Sequence, residues 1–114
     1  MPRKAPDFKY CMTQMRSNSP QRQDEGFQLL LPHTALYVEQ LIEEFRVETD
    51  HGLKCWLLEL IGHARSEKAF ELLKEHLAVG DLAFRDWAIR GLQRLNTPEA
   101  RKVLKQRGFD GMTF

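Results

Sequence analysis

Apolar positions in this chain recur at spacings of three and four, and they fall into seven segments. Asp7 to Arg16 puts Phe8, Cys11, Met12 and Met15 on one face, as a short helix requires. Ser17-Asn18-Ser19-Pro20 breaks that pattern and ends on a serine cap followed by proline at the first helical position. It predicts a second helix from about Pro20 to Leu31, stopped near Pro32. His33 to about Glu48 reads as a third, with Ala35, Val38, Leu41, Ile42 and Phe45 on one side. After Asp50 the pattern sharpens: Leu53, Trp56, Leu57, Leu60, Ile61 and Ala64 trace one face of a helix. Ser66 opens the next, with Ala69, Leu72, Leu73 and Leu77 inward, and Gly80-Asp81 stops it and caps its successor. Phe84, Trp87, Ala88, Gly91, Leu92 and Leu95 then repeat the earlier face. Thr97-Pro98-Glu99 starts a last helix with Ala100, Val103 and Leu104 inward, and Gly108 ends it. No segment alternates with period two, so the expected fold is all-α.

The chain also repeats itself. A shift of 31 residues lays Asp50 on Asp81, Leu53 on Phe84, Trp56 on Trp87, Ile61 on Leu92, Ser66 on Thr97, Ala69 on Ala100, Leu72 on Val103 and Leu73 on Leu104. Caps meet caps and inward positions meet inward positions. Shifting the other way gives a weaker third copy, with Phe27 on Leu58, Leu30 on Ile61, Val38 on Ala69 and Leu41 on Leu72. Two helices per period of this length mark an α-solenoid, in which neighbouring pairs bury a stripe that one pair cannot hide alone.

The second of these units reads Asp81, Phe84-Arg85, Ala88, Gly91-Leu92 and then Thr97-Pro98-Glu99-Ala100. This resembles HEAT-like repeats, including the short form named after phycobilisome lyases. The preceding unit keeps Asp50 but has Lys54 where the pattern carries arginine. The resemblance covers about residues 23 to 108 and is strong from Asp50 onward. It implies a short α-solenoid of about three HEAT-like helix pairs with an N-terminal capping helix, in a single domain over 1–114. The arm and capping helix take 1–19, the repeats about 20–49, 50–80 and 81–108, and the tail 109–114.

Composition narrows the function classes. The chain has 114 residues, 42% apolar and 29% charged, with a net charge of +1. That suffices for a buried core and gives no global attraction to nucleic acid or membrane. No apolar run is long enough to span a bilayer, and the polar start is unlike a signal peptide. Cys11 and Cys55 match no disulfide or metal spacing and read as reduced thiols of a cytoplasmic protein. Charge is uneven along the chain: five acids against one base from Glu39 to Asp50, balance from 51 to 80, and seven bases against three acids from Asp81 to Arg107. A stack built in this order has an acidic end and a basic end.

Few residues point to chemistry. His51 and Cys55 lie one helical turn apart, yet a helix-capping histidine and a core cysteine explain them without catalysis. Glu39, Glu43 and Glu44 read as a solvated acidic face, and His63 and His76 suit helix C-termini. Trp56 and Trp87 are expected to pack into the core. No catalytic residue, metal or cofactor is expected. In HEAT-like stacks the second helix of each pair lines the concave side. Its outward positions here are Tyr37, Gln40, Glu43, Glu44, Glu71, Lys74, Glu75, Lys102, Lys105 and Gln106, the expected partner-binding surface. The resemblance and the small size imply a non-catalytic protein-binding module, such as an immunity protein that occludes a cognate bacterial toxin. The alternatives are a HEAT-like nucleic-acid-binding protein and a phycobilisome lyase accessory.

Overall fold

Most helices begin where a short polar side chain takes over a backbone N–H that the first turn leaves unpaired. The computed structural model describes residues 5–78 and 80–111. Most of the loose start expected for residues 1–6, and the end of the tail from 112 to 114, lie outside the described residues. Among the described residues seven α-helices appear and no strand: α1 (Phe8–Met15), α2 (Pro20–Leu30), α3 (Val38–Val47), α4 (His51–His63), α5 (Phe70–Leu77), α6 (Leu82–Leu95) and α7 (Pro98–Gln106). Short 3-10 segments, Leu31–His33 and Glu67–Ala69, follow α2 and precede α5.

The predicted caps hold. Asp50 accepts from Leu53 N at 2.8 Å, Asp81 from Phe84 N at 3.0 Å and Thr97 from Ala100 N at 3.1 Å. Ser19 and Ser66 cap in the same way, and Asp7 caps α1 through Tyr10 N. Gly108 ends α7 at φ +79°, and Phe109 N donates back to Leu104 O at 2.8 Å, which closes the last turn as glycine-terminated helices do.

The third helix departs from expectation. It begins at Val38, and residues 34–37 form turns closed by Leu36 N to His33 O and Tyr37 N to Thr34 O. Thr34 is buried, and Tyr37 has no side-chain capping role. Tyr37 instead packs on Phe8 at 5.3 Å between ring centroids, and its hydroxyl donates to Pro6 O at 2.5 Å. A tertiary contact to the N-terminal segment holds these residues out of the helix that the local pattern favoured.

The core runs through the middle of the chain. Leu57, Leu58, Leu60 and Ile61 of α4, and Ala88, Ile89 and Leu92 of α6, have no exposed surface. Full burial of one such leucine or isoleucine stabilises the fold by about 1.5–3 kcal/mol. Leu41 and Phe45 of α3, Leu72 and Leu73 of α5, and Ala100 and Leu104 of α7 close over it; Cys11, Met12 and Met15 cover the other end from α1. The molecule measures 39 × 35 × 24 Å. No helix among the described residues is long and apolar enough to cross a membrane.

Two glycines let helices approach closely. A Cβ at Gly26 would stand 2.5 Å from Cys11 O, and one at Gly62 would stand 3.0 Å from Gly91 Cα. Backbone cannot yield as a side-chain end can. Gly52, in the first turn of α4, is exposed, and a Cβ there would make only an ordinary contact, 3.5 Å from Asp50 Oδ2. Gly26→Ala and Gly62→Ala should therefore each lower stability by about 1–3 kcal/mol in denaturant titrations. Gly52→Ala should leave it unchanged or raise it by up to ~1 kcal/mol. Equal effects at all three positions would contradict the close helix contacts.

Candidate functional site

The expected partner-binding residues divide in the structure. Gln40, Glu43, Glu71, Lys74, Glu75, Lys102, Lys105 and Gln106 are exposed. Tyr37 is not an outward helical position, because it is half-buried against Phe8. Glu44 is also half-buried; it accepts from Arg16 Nη2 at 2.6 Å and so fastens the end of α1 to α3.

Ion pairs join α3 to the segment that carries α5. Glu39 meets Lys68 at 2.5 Å, and Arg46 meets Glu75 at 3.6 Å. Gln40, Glu43, Glu71 and Lys74 thus belong to one surface whose register those bridges set. No ion pair or hydrogen bond between α5 and α7 occurs among the described residues, so Lys102, Lys105 and Gln106 form a separate basic end. Lys105 lines a shallow hollow of about 360 Å³ with Leu92, Leu104 and Asp110.

His51 and Cys55 do meet. Cys55 Sγ lies 3.9 Å from His51 Nδ1, and His51 Nε2 lies 2.8 Å from Asp81 Oδ2. The order thiol, imidazole, carboxylate is that of a nucleophile with its base and orienting acid. The surroundings work against that use. Burial, and then the Asp81 carboxylate, push the thiol pKa up, which holds back the reactive thiolate. Cys55 also sits inside α4, where backbone N–H groups are spent within the helix and none is left to stabilise an oxyanion. The histidine does not cap α4, since Asp50 does. It bridges the starts of α4 and α6, stacked on Phe84 at 4.8 Å. No cluster of three or more metal-ligating side chains occurs among the described residues.

Both tryptophans are half-buried. Trp56 packs on Phe27 at 5.1 Å and keeps an edge on a hollow lined by Met15, Gln23 and Leu53. Trp87 carries the Arg90 guanidinium 4.7 Å above its ring. The core packing expected for them is therefore partial.

Sequence reasoning missed the arginine-lined concavity at the C-terminal ends of α4 and α6. It has a volume of about 530 Å³ and is lined by Arg65, Arg90, Gln93, Arg94 and Asn96. The basic run from Arg90 onward drew attention to α7, whereas Arg65 lies in a segment of balanced charge. The repeat did carry a signal: Arg65 and Asn96 stand 31 residues apart, and both adopt positive φ, +49° and +52°. No family model, curated protein or solved structure matches this chain.

Glu48 shows how the acidic end is held. It accepts from Asp50 N and Thr49 N, both at 3.0 Å, and from Arg16 at 3.1 Å. The Asp50 N–H does most to hold its carboxyl below the ordinary value, with Arg16 and the Thr49 N–H adding to it. A group depressed in the folded state stabilises fully above its unfolded pKa, about 4.3, and loses that contribution as pH falls through the lower folded value. Glu48→Gln should lower Tm at neutral pH and flatten the fall of Tm between about pH 5 and pH 3, as followed by circular dichroism. An acid limb as steep as that of the wild type would show that these hydrogen bonds contribute nothing.

Proposed function

We propose that this chain is a short stack of HEAT-like helix pairs that binds another protein and performs no chemistry. The stacking is supported by contacts between residues that lie nearly one repeat apart: Phe27 with Trp56, Glu39 with Lys68, Arg46 with Glu75, His51 with Asp81 and Gly62 with Gly91. Successive pairs that lie side by side produce this pattern.

The observation that carries the binding reading is the exposed, charged surface of α3 and α5, followed by the basic end on α7. Such a surface orients a partner of opposite arrangement, chiefly by steering association. Within this class the specific form proposed is an immunity protein that occludes a cognate toxin. A second reading, contact with nucleic acid, is favoured by the arginine-lined concavity, since phosphate contacts by arginine dominate such binding.

The test is capture of the partner by the full chain, followed by charge reversal. Reversing Glu43 with Glu71, or Lys102 with Lys105, should slow association by about tenfold and change stability by no more than ~0.5 kcal/mol. Glu44 is left alone because it holds Arg16. For toxin neutralisation, the captured protein must arrest growth when expressed alone and fail to do so beside the wild type. Unchanged association for both reversals would contradict the docking surface, and a partner harmless by itself would contradict the immunity role.

A further inference from the structure

We propose that the concavity at the ends of α4 and α6 is an anion site, built to take a phosphate group between the guanidinium groups of Arg65, Arg90 and Arg94. This goes beyond the protein-binding reading and does not depend on it.

The site is assembled by the fold. Gly62 and Gly91 let α4 and α6 touch at backbone distance, which brings the ends of both helices together. Arg94 Nη1 lies over that crossing, 3.8 Å from where a Cβ on Gly62 would stand. It is buried and has no hydrogen-bond partner. A buried guanidinium N–H without an acceptor is costly, and an anion in the concavity supplies one. Arg90 is held in place over the Trp87 ring. Arg65 enters from the turn after α4 in a left-handed conformation, which is strained for a residue other than glycine and persists where the surroundings enforce it. Asn96 takes the same conformation. Its Oδ1 accepts from Arg101 at 3.1 Å, and so does its backbone carbonyl at 2.8 Å.

The charge balance favours an anion. No carboxylate lines the concavity. The acid that acts on Arg94 and Arg90 from α4 is Glu59, half-buried, its pKa raised by burial against the pull of those two arginines. The helices present their negative ends here, each worth roughly half a charge. Together with Glu59 they leave the three arginines about one charge in excess. Burial first, and then Arg94 and Arg65, lower the His63 pKa; burial first, with Arg90 and Arg65 adding to it against the pull of Glu59, lowers that of Arg94. Planar guanidinium groups converging on one space match the oxygens of a tetrahedral phosphate, which accepts paired, charge-assisted hydrogen bonds.

The experiment titrates the full chain with inorganic phosphate and follows the His63 ring by NMR, with chloride at matched ionic strength as control. Phosphate should raise the His63 pKa by cancelling the field of Arg94 and Arg65, and chloride should not. Arg94→Gln should weaken phosphate binding about tenfold, the loss of one charge-assisted hydrogen bond. Glu59→Gln removes the opposing carboxylate and should tighten it severalfold, which keeps the proposal testable if Arg94→Gln does not fold. Two further arms separate the sources of phosphate. Arg94-dependent binding of a short single-stranded DNA, tighter than that of phosphate, assigns the site to a nucleic-acid backbone. Preference for phosphoserine over that DNA assigns it to a phosphomonoester. A His63 titration that responds alike to phosphate and chloride, or a folded Glu59→Gln that binds phosphate no more tightly than wild type, overturns the proposal.

Discussion

The central core and the arginine-lined concavity hang on the crossing of α4 and α6 at Gly62 and Gly91. The missing Cβ atoms allow the two backbones to meet, and the fully buried side chains of both helices pack beside the contact. Leu73 of α5 lies directly over Gly91, so the neighbouring helix is seated by the same gap. The turns that leave α4 and α6 are carried together, and with them the arginines that line the concavity. A larger residue at the crossing would separate the core, the seat of α5 and the arginine cluster at once.

The outer helices are attached differently. Arg16 reaches from the end of α1 to Glu44 and Glu48, and the exposed pairs of Glu39 with Lys68 and Arg46 with Glu75 span from α3 toward α5. Exposed ion pairs contribute only about 0–1 kcal/mol each. They set register between helices whose adhesion comes from apolar burial. Charges on this surface can therefore change while the apolar packing between the helices stays intact.

Local sequence carried most of the fold. The caps Asp50, Ser66, Asp81 and Thr97, the glycine stop at 108 and the inward faces of α4, α6 and α7 all follow from spacing and short-range chemistry. The failures are long-range. The late start of α3 depends on Phe8 and Pro6, some 30 residues upstream of Tyr37, and no periodicity reports that contact. His51 looked like a cap because it begins a helix, yet its partner is Asp81 on the next one. The arginine concavity was hidden for the same reason. Arg65 and Arg94 lie on different helix ends, and only the glycine crossing makes them neighbours.

The most direct test of the central role of α4 and α6 is native-state hydrogen exchange of the full chain, resolved by residue. Stability is graded across a structure, and the amides that open only on global unfolding mark its most stable unit. The slowest exchange is expected in the middle of α4, from Leu57 to Ile61, and of α6, from Ala88 to Leu92, while α1 and α7 open at lower free energy. If α1 or α7 were as protected as those two segments, or if α4 and α6 opened independently of each other, their crossing would not be the contact on which the rest depends.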